Sequence, residues 1–191
     1  YRPLPGEEIE TFRAVAPVSK LSKLVSLRGD WAHGDFVRNI RFSNIAFCHS
    51  DATQIDGRPA NAPAETVQHQ AASGSDGLIA LTGAHNVVFD GCRFAHTGNY
   101  AMRFGSGCMS NKVVNSTFAD LGAGAVWMGA DYRYEDRISE IPRKVLYPNS
   151  PEATAYNLIS NNVISQTGRF NPEGVGIILT NPKFADVRSL E

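Results

Sequence analysis

A short pattern of apolar and small polar residues recurs four times along the chain without gaps. Each copy has an apolar residue, then Asn or Gly two positions later, then another apolar residue three positions beyond. Asn and Gly tolerate the left-handed backbone of a tight bend, so each copy predicts two short strands joined by a sharp turn. The copies are IRFSNIAF (40–47), VVFDGCRF (87–94), KVVNSTF (112–118) and LISNNVI (158–164).

Aligning the copies gives three columns of equivalent positions. The first apolar column is Phe42, Phe89, Val113 and Ile159; the bend column is Asn44, Gly91, Asn115 and Asn161; the second apolar column is Phe47, Phe94, Phe118 and Ile164. Equivalent positions in consecutive repeats lie above one another when repeats stack. We therefore predict that the rings of Phe94 and Phe118 stack inside the fold and that Asn115 lies at a bend.

A third apolar segment follows each bend, and its alternation is typical of a strand with one buried face. The segments are GLIALT (77–82), AMRFG (101–105), AVWMG (125–129) and GIILT (176–180), with LVSLRG (24–29) as an earlier copy. The alternation places Ile79 and Leu81, Met102 and Phe104, Val126 and Met128, and Ile177 and Leu179 on the inner face. Each repeat therefore contains three strands.

The spacing between repeats indicates the fold class. Phe94 and Phe118 are 24 residues apart, and the two longer spacings each contain one polar insertion, approximately 52–76 and 130–153. A period of this length with three strands predicts an all-β, right-handed, single-stranded parallel β-helix of the pectin-lyase-like type, with about four to five repeats. A β-sandwich is the alternative, but the aligned columns require parallel stacking. We expect residues 1–191 to form a single domain, part of a longer helix, with both insertions as surface loops that wall a cleft.

Charge and composition narrow the choice of partners. The 191 residues include 18 basic and 19 acidic side chains with no block of like charge, so nucleic acid and anionic membranes are not expected partners. No apolar run approaches the ~20 residues of a membrane span. The three cysteines lack CxxC spacing, which favours buried free thiols over a metal site or a disulfide framework. No cofactor is expected.

Polar residues form a further column two positions after the second apolar column. Its members are His49, His96, Asp120 and Gln166, and two positions later come Asp51, Gly98, Gly122 and Gly168. The outer face of the third strand reads Ala80, Arg103, Trp127 and Ile178. We expect Arg103 and Trp127 to project into solvent beside the polar column. Such a strip suits a saccharide, because sugar C–H faces stack on indole and hydroxyls bind charged side chains.

Each of these residues also has a purely structural interpretation. Polar side chains commonly satisfy backbone groups at turns, which would account for His96, Gln166 and Asp120. Trp127 could be a partly covered surface residue, and Arg103 a solvated charge. The functional interpretation requires the polar column and the outer face of the third strand to lie side by side at one edge of the fold.

A glycoside hydrolase generally needs two carboxyl groups that flank the scissile bond. Asp120 is the first candidate, and Gly122, Ala123 and Gly124 behind it would let the chain bend sharply. Glu173 and Asp131 are alternative candidates for the second carboxyl group. His96 would orient Asp120 or bind a substrate hydroxyl, with the neighbouring members of the column, His49 and Gln166, also binding substrate.

Several segments together resemble bacterial β-helix proteins of the glycoside hydrolase family 141 type. They are YRPLPGEEI, VRNIRFSNIAF, GCRFAHTGNYAMRFGSGCMSNKVVNSTFADLGAGAVWMG and NNVISQTGRFNPEGVGI. The resemblance implies a secreted or periplasmic enzyme that acts on plant cell-wall polysaccharide, with α-L-fucosidase and xylanase as the implied activities. It also implies a much longer protein, and relatives usually carry Gly where this chain has Ala125.

Two other functions remain open at this point. A polysaccharide lyase would use a Lys or Arg base, for which Arg103 is the candidate, and would normally bind Ca²⁺ through clustered carboxylates that the outward column lacks. An adhesin or tailspike-like β-helix would bind glycans without turning them over.

Overall fold

The computed structural model describes residues 21–52, 70–72, 75, 77–129, 151–180 and 182–191. These residues form fifteen short strands and a single 3₁₀ turn, with no α-helix in the described ranges. In chain order the elements are β1 (Val25–Arg28), β2 (Val37–Arg38), β3 (Arg41–Ser43), β4 (Ala46–Cys48), the 3₁₀ turn Gln70–Ala72, β5 (Gly77–Thr82), β6 (Ala84–His85), β7 (Val88–Asp90), β8 (Arg93–Thr97), β9 (Tyr100–Phe104), β10 (Lys112–Val114), β11 (Thr117–Leu121), β12 (Val126–Gly129), β13 (Leu158–Ile164), β14 (Ile177–Thr180) and β15 (Asp186–Leu190).

The third strands of the repeats form one five-stranded sheet in the order β1-β5-β9-β12-β14. Every pairing is parallel, and the register places Val25, Ile79, Met102, Val126 and Ile177 beside one another. Because each strand pairs with its equivalent in the next repeat, the predicted columns of the third strand are confirmed.

The other strands form an eight-stranded sheet that curls at the predicted bends. Its order is β3-β7-β10-β13-β11-β8-β4, with β15 beside β13. Strand β13 joins the two halves, since its start pairs with β10 and its end pairs with β11. The bend lies at Asn44, Gly91, Asn115 and Asn161, whose φ angles are 56°, 64°, 54° and 55°. The prediction that Asn115 lies at a bend is confirmed.

The core lies between the inner faces of these sheets. The rings of Phe47, Phe94 and Phe118 stack face to face, with centroids 5.4 Å and 4.7 Å apart. Phe94 and Phe118 are almost completely buried, together with Leu81 and Met102, whereas Leu179, which was predicted on the same inner face, is 43% exposed. The predicted inward column and its register are therefore confirmed.

Buried asparagines close the turns between strands. Asn111 donates a side-chain hydrogen bond to the carbonyl of Ala84, and Asn157 donates one to the carbonyl of Cys108. A turn buried in this way needs such partners, because an unpaired backbone carbonyl in the interior costs about 1–3 kcal/mol. The amide side chains thereby fix the stacking of one repeat on the next.

The described strands establish an all-β architecture of parallel strands, with a curled sheet that is consistent with the predicted coil. Cys92 and Cys108 are buried, Cys48 is half-buried, and all three are free thiols. The described ranges contain no helical segment with the length and apolar character of a membrane span. The insertions predicted at 52–76 and 130–153 lie largely outside the described residues, and their bounds and the single-domain division stay predictions.

Candidate functional site

The predicted polar column lies at an exposed corner where the chain turns towards the five-stranded sheet. Register pairs Cys48 with Ala95 and Ala95 with Ala119, so the residues that follow them are stacked. His49, His96, Asp120 and Gln166 have φ angles of 64°, 54°, 54° and 52°. Left-handed conformations are uncommon for residues other than Gly, although Asn, Asp and His adopt them more often than other residues do. Four consecutive repeats therefore share the same left-handed bend, and each presents a polar side chain there.

The side chains of this corner contact one another directly. The rings of His49 and His96 stack with centroids 4.8 Å apart and an interplanar angle of 11°. Nδ1 of His96 lies 2.6 Å from Oδ2 of Asp120, and Nε of Arg169 lies 3.1 Å from Oδ1 of the same carboxylate. Each carboxylate oxygen therefore has its own partner. Because an ionised carboxylate only accepts hydrogen bonds, Nδ1 of His96 carries the proton in this contact.

This arrangement favours the ionised form of Asp120. The hydrogen bond from His96, followed by the charges of His96 and Arg169, holds the pKa of Asp120 below its ordinary value of 3.8, although slight burial opposes this shift. The side chain remains 35% exposed. At neutral pH it is a charged, solvent-accessible carboxylate, which suits a base, a nucleophile or an electrostatic group, and does not suit a proton donor.

Arg169 belongs to a segment, residues 167–175, that packs against the chain just after Asp120; we call it the 167–175 loop. The N–H groups of Gly168, Arg169, Phe170 and Asn171 donate to the carbonyls of Ala123, Leu121, Gly122 and Gly122, at 2.6, 2.9, 3.0 and 2.8 Å. Four backbone hydrogen bonds in succession hold this loop beside the carboxylate. Gly168, which the sequence alignment places opposite Gly122, contacts Ala123 instead.

The small residues after Asp120 make this packing possible. A Cβ atom at Gly122 would collide with the backbone of Gly98, and one at Gly124 would collide with the carbonyl of Val175 and the ring of Tyr100. A Cβ atom at Gly174 would also approach the backbone of Ala123 too closely, at 2.7 Å. Neither Gly122 nor Gly124 has a positive φ angle. The chain bends at Gly122 and Ala123, as predicted, without a left-handed conformation. The glycines are required there by the close packing of neighbouring repeats and of the 167–175 loop.

Trp127 has the predicted neighbours but not the predicted exposure. Register places Trp127 between Arg103 and Ile178, as expected. However, only 7% of Trp127 is exposed, and it packs with Tyr100, Ala123 and Ala72 in a second apolar cluster. The expectation that Trp127 projects into solvent is wrong, because Ala72, in the turn before β5, and Tyr100 cover this outer face.

Arg103 is part of the same buried arrangement. Its guanidinium carbon lies 4.0 Å from the centroid of the Trp127 ring, at cation–π distance. The indole Nε1 of Trp127 donates a 2.9 Å hydrogen bond to Oγ1 of Thr180. Arg103 lies on the outer face as predicted, but it is half-buried, so it projects into solvent only in part.

The other predicted site residues are Glu173, Gln166 and Asp131. Glu173 is exposed on the 167–175 loop. Tyr100 donates a 2.7 Å hydrogen bond to the carbonyl of Ala71, and its burial, with a smaller contribution from the charge of Glu173, raises its pKa to about 12. The side chain of Gln166 is exposed, and its carbonyl accepts a 2.9 Å hydrogen bond from the N–H of Leu121. Asp131 lies outside the described residues.

Two residues at this corner were not predicted. Arg169 binds the Asp120 carboxylate, and Phe170 follows it with 69% of its surface exposed. The signal in the sequence is an insertion: Gln166 and Ile177 are 11 positions apart and the equivalent Asp120 and Val126 are six apart, so five residues of this segment have no counterpart in the preceding repeat. Within the described ranges, no group of three or more His, Cys, Asp or Glu side chains is arranged to hold a metal ion.

Comparison with known proteins gives one solved structure of similar fold. That structure is described as "Glycoside hydrolase"; it superposes with a TM-score of 0.65 at 16% sequence identity, over 88% of this chain and 31% of its own length. The chain thus spans about a third of that protein. No protein-family model and no curated protein matches the chain. At this identity the likeness shows a shared fold.

Proposed function

We propose that this chain is part of a right-handed parallel β-helix enzyme that hydrolyses glycosidic bonds in plant cell-wall polysaccharide. The fold shared with a structure described as a glycoside hydrolase supports a glycan-related function. The resemblance to glycoside hydrolase family 141 supports an α-L-fucoside or a xylan-like substrate and a secreted or periplasmic location.

The observation that carries the proposal is the state of Asp120. An exposed carboxylate that is ionised at neutral pH and oriented through both oxygens by His96 and Arg169 is placed to attack an anomeric carbon or to stabilise the positive charge that develops there. A residue that only stabilised the turn would not need two side-chain partners, His96 and Arg169, on a solvent-facing carboxylate.

Hydrolysis also needs a carboxylic acid that protonates the leaving oxygen. We assign this role to Glu173, which is exposed on the same loop that carries Arg169. Asp131 is the alternative donor. His96 is a positioning residue for Asp120, while His49 and Gln166, above and below in the same column, extend the substrate-binding edge.

The substitution Asp120→Asn tests the proposal. Asn has nearly the same volume and retains hydrogen-bonding capacity, so folding should be preserved while the charge is lost. We expect kcat to fall by at least ~10³-fold, equivalent to about 4 kcal/mol of transition-state stabilisation. A variant that keeps more than about a tenth of the wild-type kcat, with chemistry limiting turnover, would leave Asp120 as a structural residue.

The products distinguish this reaction from the alternatives. Incubation with fucosylated pectin fragments, xylan and polygalacturonate should release reducing ends without ultraviolet absorbance from a new double bond. Absorbance of that kind would identify a lyase, and binding without products would identify an adhesin. Arg103, the candidate lyase base, stacks on Trp127 instead of projecting freely, which favours the hydrolase.

A further inference from the structure

Phe170 is an exposed aromatic side chain held on a firmly attached loop. Phe170 directly follows Arg169, whose guanidinium binds Asp120. The Phe170 residue is 69% exposed. Burying a phenylalanine side chain stabilises a fold, so an exposed ring forgoes that contribution. Trp127, by contrast, is buried and unavailable to a ligand.

The backbone around Phe170 is fixed before any ligand binds. The N–H groups of Phe170 and Asn171 both donate to the carbonyl of Gly122, two residues after Asp120 in sequence. The N–H of Gly174 donates to the carbonyl of Asn171 at 2.8 Å and closes the turn that follows. A ring on such a loop loses little backbone entropy on binding, which is the advantage of a preorganised contact.

We propose that Phe170 is the stacking platform for a sugar ring at the Asp120 site. This inference rests on the proposed function and specifies which part of the chain binds its substrate. The apolar C–H face of a pyranose packs on an aromatic ring, while its hydroxyls bind the charged groups nearby. The pairing of Phe170 with Arg169 on one loop provides both kinds of contact.

Substitution of Phe170, with a matched control, tests this assignment. Phe184 is the control, because it is 67% exposed, stacks on Tyr156 with centroids 5.2 Å apart, and lies in a different column of bends. Binding of xylo-oligosaccharides and fucosylated pectin oligosaccharides is measured by calorimetry in the Asp120→Asn background, which suppresses turnover. KM and kcat are measured separately in the wild-type background.

We expect Phe170→Ala to weaken binding roughly tenfold and to raise KM with little change in kcat, because stacking holds substrate and transition state alike. Phe170→Trp should retain or tighten binding, and Phe184→Ala should have no effect. Circular dichroism of each variant verifies folding.

The outcomes separate this inference from the proposed function. Oligosaccharide binding that is unchanged in Phe170→Ala, or equally weakened in Phe184→Ala, overturns the platform alone. Binding that depends on Phe170 in an enzyme whose Asp120→Asn variant turns over normally supports the platform and overturns the catalytic role of Asp120. Failure of the otherwise wild-type chain to bind any of these oligosaccharides overturns both.

Discussion

Asp120 is a single side chain whose behaviour depends on two neighbours from two different repeats. His96 approaches from the preceding repeat and Arg169 from the loop of the next one. The contacts are solvent-exposed, so their contribution to folding is small, and their main effect is on the charge and orientation of the carboxylate. This is why we interpret the cluster as functional.

The acid titration of Asp120 provides a direct test of these contacts. We expect its carboxyl group to titrate below the ordinary value of 3.8, and Arg169→Gln to raise its pKa, because a positive charge beside the carboxylate is removed. Carboxyl carbon NMR during acid titration measures both. Arg188→Gln is the matched control, since Arg188 makes a similarly exposed ion pair with Asp186.

The lowered pKa of Asp120 also determines how the stability of the protein changes with pH. The folded-state pKa lies below the unfolded-state value, so the contribution of Asp120 to stability is present above about pH 4 and is lost as the pH falls through the folded-state pKa. The Arg169→Gln variant should therefore lose less stability than the wild type over this acidic range, by urea unfolding. An identical pH dependence in the two proteins would show that Arg169 does not act on Asp120.

Residues on the bends were predictable because their identity follows from backbone conformation. Asn44 and Asn115 accept a left-handed backbone, and their spacing aligned the strands correctly. Arg169 and Phe170 were not predictable, because they lie in an insertion. Residues of an insertion have no equivalent positions in the neighbouring repeats with which they could be aligned. Their position depends on hydrogen bonds to the carbonyls of Leu121 and Gly122, which no sequence pattern specifies.

At the scale of the element, strand β12 shows where sequence alternation stops being informative. Alternation correctly placed Val126 and Met128 inside and Trp127 outside. It could not show that Tyr100 and Ala72 cover the outer face, because this contact joins segments distant in sequence. An outward position in a strand is therefore not the same as a solvent-exposed one.

Burial of the outer face changes the expected effect of a substitution in β12. Trp127→Ala should destabilise the fold by about 3–5 kcal/mol, because it removes packing against Tyr100 and the hydrogen bond to Thr180. Urea unfolding measures this loss, and Phe184→Ala, at an exposed position, should cost far less. A large rise in KM with unchanged stability would instead restore Trp127 as a substrate platform.

Over the whole molecule, stacking makes each repeat depend on its immediate neighbours. Strands pair with the equivalent strands of adjacent repeats. The stability of the fold is therefore approximately a sum of contributions from single repeats and from the interfaces between neighbouring repeats. The period made this stacking predictable from sequence, while the insertions carry no periodic signal.

The 167–175 loop and Asp120 belong to different repeats, and this separation has a consequence for ligand recognition. The loop connects β13 to β14, whereas Asp120 lies in β11 of the preceding repeat. Arg169 and Phe170 can therefore be released when the loop breaks its own hydrogen bonds to the carbonyls of Leu121 and Gly122, while the strands stay paired. A bound glycan that bridges Phe170 and Asp120 would couple the two repeats, so it should slow amide hydrogen exchange in the loop and leave exchange in β9 unchanged.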